Sequence, residues 1–318
     1  MFRIRAFDGT DRDYEGIVSV RNAVWPNLPD TVLERRYHDE SRDRSLLFER
    51  FIAEAEGRIV ASCFVSEPVK TREPGLYFIA ISVLPERERR GIGSACYDHA
   101  LEMLRARRAA ILKSSTREDK PEGVRFLEKR GFRLVMREQM VRLDLSRFDE
   151  TRFADKVEAV RAQGIEIVTL DALRKRDPEW RTELWELDWS IHRDVPAPEP
   201  HARQSFESFT ASLAAPGFLS DGYFVALDGG RLVGLTHLLR AKADPDTLAS
   251  GLTGVVRSHR RRGIATALKV RACEYARGVG ATAIETGNEE HNPMRILNAA
   301  LGFVPMPAWL VYKKTADR

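Results

Sequence analysis

The sequence predicts an α+β protein built from two tandem copies of one domain, each a mixed, mostly antiparallel sheet flanked by helices. Three observations carry that expectation. "RERRGIG" at 87–93 is nearly rewritten as "HRRRGIA" at 259–265, with Gly91 and Gly263 172 positions apart. "EGRIVAS" at 56–62 matches "GGRLVGL" at 229–235, and "FLEKRGF" at 126–132 matches "LNAALGF" at 297–303, so both flanks keep the register of the central loop. Each copy also mixes apolar patterns of period two and period 3.6. A repeat this long is a duplicated domain and not a solenoid unit, and 318 residues fit two domains of ordinary size.

In order, "FRIRAF" (2–7) alternates as a strand and "DYEGIVSVRNAVW" (13–25) has helical spacing. "RFIAEAEGRIVASCFVS" (50–66) reads as a hairpin turning at Glu56-Gly57. The apolar strand "GLYFIAISVL" (75–84) runs into Pro85 and the basic loop. After that loop Ile92, Cys96, Ala100 and Leu104 share one helical face, as Ile264, Leu268, Ala272 and Ala276 do in the second copy. "AAILKSS", a helix ending at Gly131, and strands at "FRLVM" and "QMVRLDL" complete the first half. The second half repeats the plan with "IEIVTL", a helix near 178–192, the hairpin "YFVALDGGRLVGLTHLLR", "SGLTGVV", the loop helix, "ATAIET", a helix from 293 to 301 and "AWLVYK". The expected boundaries are 1–147 for the first domain, 148–163 for a charged linker with a helical middle, and 164–318 for the second. "RDVPAPEPHARQ" (193–204) has no first-half counterpart and reads as a substrate-side loop.

Composition sets wide bounds. With 43% hydrophobic and 31% charged residues and a formal charge of +4, the chain has the profile of a soluble globular protein that accepts anionic ligands without demanding nucleic acid. The N-terminus lacks a signal or transit pattern, and no run approaches the roughly 20 apolar residues of a membrane span. A cytoplasmic location is expected. Cys63, Cys96 and Cys273 sit in apolar patterns and read as reduced core thiols. No metal-ligand spacing stands out, and the oligomeric state is not legible.

A strand that stops at a basic, glycine-containing turn and reopens as a helix presents backbone N–H groups that lack intrahelical acceptors, which makes an anion site. Glycine lets a phosphate approach the backbone, and the small residue two positions on (Gly93, Ala265) keeps the path open. The chain has no Gly-x-x-x-x-Gly-Lys-Ser/Thr, and "GIGSAC" lacks the third glycine of a dinucleotide fingerprint. A solvated basic turn is the bland alternative; its recurrence in register between a strand and an amphipathic helix argues against it.

"TGVVRSHRRRGIATALK" (253–269) resembles the acetyl-CoA motif of the GCN5-related N-acetyltransferase (GNAT) superfamily, whose Arg/Gln-x-x-Gly-x-Gly/Ala is matched by Arg260, Gly263 and Ala265. "ETGNEEHNPMRILNAALGF" (285–303) resembles the later strand, helix and Gly-Phe of the same superfamily. As two tandem copies over nearly the whole chain, the arrangement is similar to mycothiol synthase-like acetyltransferases. The resemblance implies acetyl-CoA as cofactor. Its pyrophosphate would lie on the loops formed by Arg260, Arg261, Arg262, Gly263, Ile264, Ala265 and Thr266 and by Arg89, Arg90, Gly91, Ile92, Gly93 and Ser94. Its pantetheine would lie along Val255, Val256 and Arg257, or Ser82, Val83 and Leu84, with Asn292 as a further contact.

Two departures stand out. Glu88 replaces the first copy's Arg or Gln, although Arg89 and Arg90 offset its charge, and the tyrosine that many members place four residues before the Gly-Phe glycine is Leu127 in one copy and Asn298 in the other. Tyr312 is then the candidate proton donor. An alkylamine of pKa near 10.4 is only about 0.04% neutral at pH 7, a handicap of roughly 4.6 kcal/mol, so a base is sought; Glu285 and His237 are the candidates. The motif places catalysis in the second copy. The reading is an N-acetyltransferase that moves an acetyl group from acetyl-CoA to a primary amine of a small molecule by direct attack. Its rivals are a non-catalytic acyl-CoA-binding or sensing protein, and a nucleic-acid binder through "RSHRRR", the latter disfavoured by the low net charge and the lack of interleaved aromatics.

Overall fold

The computed structural model describes residues 1–69, 71, 73–240 and 244–316. In chain order its elements are β1 (Arg3–Ala6), α1 (Asp11–Val24), α2 (Val32–Ser41), β2 (Phe48–Ala55), β3 (Arg58–Ser66), β4 (Leu76–Val83), α3 (Ile92–Arg105), β5 (Ile111–Arg117), α4 (Pro121–Glu128) and β6 (Arg133–Asp144). There follow α5 (Ala154–Ala162), β7 (Ile165–Thr169), α6 (Leu170–Arg176), α7 (Trp180–His192), α8 (Phe206–Ser212), β8 (Phe218–Asp228) and β9 (Arg231–Arg240). The chain ends with β10 (Thr247–Val255), α9 (Ile264–Gly278), β11 (Ala283–Glu289), α10 (Met294–Leu301), β12 (Val304–Pro305) and β13 (Trp309–Thr315). The duplication is visible in this order: each copy runs hairpin, strand, basic loop, long helix, strand, short helix.

The compact units depart from the sequence boundaries of 1–147 and 164–318. One unit comprises Met1–Arg137 with Pro198–Ala202 and Ala308–Arg318, and the other comprises Glu138–Ala197 with Arg203–Pro307. The cause is an exchange of strands. In the first unit β5 is flanked by β4 in parallel and by β13, antiparallel, from the far end of the chain. In the second unit β11 is flanked by β10 in parallel and by residues 138–144 of β6, antiparallel. The two strands expected at "FRLVM" and "QMVRLDL" are one continuous strand of 12 residues, because only Arg137 and Glu138 lie between them and neither is a turn former.

Each unit buries its own core. Helix α3 packs Ile92, Cys96, Ala100 and Leu104 against Ile52, Ala61 and Val65 of the first sheet. Helix α9 packs Ile264, Ala267, Leu268 and Ala276 against Val233 and Leu248 of the second. A further cluster beneath α7, with Leu184, Leu187 and Ile191, covers the opposite face of β8 and β9. All three cysteines are buried and unbonded. Among the described residues no helix is long and apolar enough to cross a membrane.

Candidate active site

Most well-capped helices in this chain begin on a Ser or Thr: Thr10, Thr31, Thr169 and Ser205 each accept a backbone N–H of the first turn. Helices α3 and α9 do not. They begin at Gly91 (φ 81°) and Gly263 (φ 84°), with no side-chain cap. Two residues earlier Arg89 and Arg261 also take left-handed backbone, at φ 59° and 63°. For a side chain bearing Cβ this is a strained conformation, and the same strain at the same place in both copies marks a loop shaped to gather N–H groups. The first internal bond of each helix is Ala95 N–H to Gly91 O or Ala267 N–H to Gly263 O, so the preceding amides of the first turn face outward without intrahelical acceptors.

Beside each loop two parallel strands fork. Strands β4 and β5 pair at Leu76–Phe78 with Ile111–Lys113, and the crotch is pinned by Ser114 Oγ donating to Ile79 O at 2.9 Å. Strands β10 and β11 pair at Thr247–Ala249 with Ala283–Glu285, pinned by Thr286 Oγ1 donating to Ser250 O at 3.0 Å. Past the crotch the two copies diverge.

In the first unit the fork opens into two cavities that share Trp25, Ile81, Ser82, Thr116, Gly123 and Phe126. The outer one, about 630 Å³, is bordered by Val83, Gly91, Gly93 and Ser94 of the loop. Its charged lining is Arg89, Lys120, Arg125, Lys129 and Arg130 against Glu88 and Glu122, an excess of cations suited to phosphates. Arg130 lies over the Phe126 ring at 3.6 Å and donates to Ser94 Oγ at 2.7 Å. A Cβ on Gly91 would have no neighbour within 4 Å, so the approach to the loop is open. Leu84 is buried beneath it. The inner cavity, about 330 Å³, lies between Trp25, Trp309, Phe64 and Arg35.

In the second unit side chains of the protein pack against the fork. By strand register Gly254 stands where Ser82 stands in the first unit, and a Cβ there would meet Ile191 Cγ2 of α7 at 2.2 Å. Its loop is covered by α5: a Cβ on Gly263 would meet Val160 Cγ2 at 3.1 Å, and Gln163 Nε2 donates to Arg262 O at 3.2 Å. Arg257, Arg260 and Arg262 are engaged as well. Arg257 makes a fork to Asp194 at 2.9 and 2.6 Å, and Arg260 joins the same carboxylate while its Nε donates to Val255 O. Arg257 first and Arg260 second hold the Asp194 carboxyl far below the usual carboxylate range. His259 and Arg262 both reach Asp228. Ala265 and Thr266 lie in the first turn of α9, and Val256 precedes the basic turn, packed against the core.

The remaining predicted residues scatter. Glu285 is ion-paired with Arg142 of β6 at 2.5 Å. Tyr312 belongs to the first unit, not to the second copy's site; it is 2% exposed and its hydroxyl donates to Glu128 at 3.4 Å. Asn292 lies just before α10 and accepts the Met294 N–H. His237 stacks on Tyr223, with ring centroids 5.0 Å apart, opposite a bulge in β10. The Pro-rich stretch is tied down: Glu199 is 5% exposed and takes Lys113 at 2.8 Å and Lys313 at 3.1 Å in the first unit. Sequence reading missed Arg21, Arg35 and Arg50, whose spacing along the chain gives no hint that they meet at one cavity.

Residues 15–132 and 181–303 both match the acetyltransferase (GNAT) family. The chain belongs to that family. As a GNAT chain with two copies it is similar to a tandem GNAT protein from the clavulanic acid biosynthesis pathway, at 22% identity over 100% of this chain and 99% of that one, with a TM-score of 0.80. It is also similar to a GCN5-related N-acetyltransferase from Sphaerobacter thermophilus, at 19% identity over 100% and 96% of the two chains, with a TM-score of 0.68. At these identities the likeness concerns the GNAT fold. No curated protein matches the sequence.

Proposed function

We propose that this acyltransferase is an N-acetyltransferase that uses acetyl-CoA and a small-molecule primary amine, and that its reaction is run in the first unit. The observation that carries this reading is the open fork: a cation-rimmed outer cavity on the loop joins an inner cavity across Ser82 and Thr116. The outer cavity suits coenzyme A. Arg89, Arg90, Lys120, Lys129 and the amides of Gly91–Ser94 would hold its phosphates, and the exposed edge of β4 at Ser82–Val83 would hold its pantetheine. Bound there, acetyl-CoA would supply a thioester for direct attack by the amine, the amide C–N bond forming as the C–S bond breaks and coenzyme A leaving as the thiol with a proton given up by the amine, with no acyl-enzyme.

None of the described residues lining the inner cavity is a carboxylate or a histidine. The chain's own contribution is therefore binding, orientation and a strongly cationic surrounding, which favours the neutral, nucleophilic form of an amine held beside it. The second unit is proposed as the structural copy, because Ile191 and α5 occupy the places a ligand would need.

Calorimetry with coenzyme A and thiol release with an amine panel test both parts. Gly91→Asp sets a carboxylate against the phosphates and should weaken coenzyme A binding at least about 100-fold, since several charge-assisted contacts are lost together. Gly263→Asp should leave that binding within about threefold and lower the stability of the second unit. Binding lost in Gly263→Asp and kept in Gly91→Asp, with both variants folded, reverses the assignment. Absence of coenzyme A binding in the wild type sinks the reading.

A further inference from the structure

The inner cavity of the first unit has an unusual wall. Arg21 of α1, Arg35 of α2 and Arg50 of β2 all line it, and no acidic residue does so among those described. Burying three guanidiniums around one space is unfavourable unless anions answer them. Two anions do, from behind the wall. Asp39 receives both nitrogens of Arg50, at 2.5 and 3.0 Å, and Asp30, whose side chain is fully buried, pairs with Arg35 and lies 3.4 Å from Arg21 Nε. Three cations against these two carboxylates leave one positive charge more than the acids that pair with them among the described residues.

The three arginines are not equivalent. Arg50 is fixed by its fork to Asp39 and by the rings of Phe7 and Phe48, each 4.9 Å away. Arg35 is partly buried, its pKa pushed down to about 10 by desolvation and then by the adjacent Arg50 and Arg21 guanidiniums. Arg21 is only half-buried, yet its Nε has no hydrogen-bond partner among the described residues, and its approach to Asp30 is the longest of the ion pairs at this wall. The arrangement is a rigid pair of cations with a third at its edge that is poorly satisfied. That is a receptor for an anion delivered by the ligand.

The charge balance narrows the anion. One unanswered positive charge matches a monoanion, whereas a phosphate monoester brings about −1.5 to −2 at neutral pH. The space is also small, about 330 Å³ and shared with the tip of the outer cavity, and its other walls are the rings of Trp25, Phe64, Phe78 and Trp309. We propose that the acceptor is a small amino acid-like molecule whose carboxylate is received by Arg21 and Arg35, with its amine directed toward the fork at Ser82 and Thr116. This rests on the acetyl-transfer reading of the first unit and names its substrate class. The same guanidiniums would hold the amine neutral, since a neighbouring cation disfavours an ammonium.

Thiol release is measured with acetyl-CoA and the twenty standard amino acids, each beside its C-terminal amide. In a second arm, N-acetyl amino acids are titrated calorimetrically, with and without coenzyme A. At least one amino acid should be used with kcat/KM on the order of 30-fold above its amide. Arg21→Gln should erase that ratio, chiefly through KM, while coenzyme A affinity stays within about twofold. Arg21→Lys keeps the charge, guards against a folding defect, and should retain part of the preference. Equal use of acids and amides, an undiminished preference in Arg21→Gln, or no carboxylate bound or consumed in either arm overturns the assignment. Failure of coenzyme A to bind while N-acetyl amino acids still bind in an Arg21-dependent way would instead overturn the transfer reading and leave the carboxylate site standing.

Discussion

On the buried face of α9, Lys269 brings an ammonium into the second core. It is 4% exposed, its Nζ is 5.4 Å from the Phe303 ring centroid, and it donates to Ser250 Oγ at 3.4 Å. Burial pushes its pKa down to about 8 from the ordinary 10.5. Between those values the unfolded chain holds a proton that the folded chain has released, so the stability governed by this group rises with pH from about 8 to 10.5 and is flat on either side. Lys269→Met should therefore stabilise the protein at pH 7 by about 1–3 kcal/mol, and the gap between variant and wild type should shrink as pH climbs through that window. Thermal denaturation of both proteins across pH 7–11 checks it; a gap that does not change with pH removes Lys269 as the cause. The lysine itself was hidden in the sequence. The apolar stripe of α9 predicts its buried face, but the step from Leu268 to Val270 gives no sign that the intervening residue is also enclosed.

At the scale of elements, strand β10 shows how far pattern reading reaches. "SGLTGVV" is a strand, as its residues predict, but its pairing with β9 carries one extra residue between Ser250 and Thr253, a bulge that β4 lacks against β3. His237 fills the space opposite. A Cβ on Gly251 would lie 2.0 Å from His237 Nε2, so only glycine fits while the imidazole remains stacked on Tyr223. Gly251→Ala should lower the stability of the second unit by about 1–3 kcal/mol through overpacking, and His237→Ala in the same chain should recover most of that loss. A double-mutant cycle by chemical denaturation measures the coupling; additive effects would mean that the glycine is needed for its backbone alone. The motif points to the second copy, whereas the reading proposed above places the reaction in the first. Arg260 meets the family pattern, yet its side chain serves Val255 O and Asp194, while the first loop, with Glu88 in that place, adjoins the open cavity. Letters in a motif report ancestry of a loop; whether a neighbouring helix lies over it depends on residues such as Val160 and Ile191 that no motif contains.

For the molecule as a whole, the duplication and the two cores were legible because apolar periodicity and glycine landmarks are local signals. The exchange of β6 and β13 was not, since pairing between Trp309 and Arg117 or between Arg142 and Glu285 leaves no mark in either segment. It changes what truncation does. A chain ending after Pro307 loses all of β13, its pairing along Ile111–Arg117, and the Trp309 wall of the inner cavity. Such a chain should lose coenzyme A binding and the cooperative unfolding of the first unit, although the deletion lies far outside that half of the sequence. Residues 1–147 made alone should likewise fail to fold. Native-like unfolding of 1–147 by circular dichroism, with coenzyme A bound, would contradict the exchange.

The exchange also sets a schedule for synthesis. The amide of Ala308 closes on Glu118 across 190 positions of chain, so when β5 has left the ribosome the strand that will flank it has yet to be translated. At elongation rates of about 5–20 residues per second, β5 waits on the order of ten seconds or more with an unpaired edge. The first unit to be encoded is thus among the last parts to be finished, and a nascent chain stalled in its second half carries a sticky, incomplete sheet for a chaperone to shield.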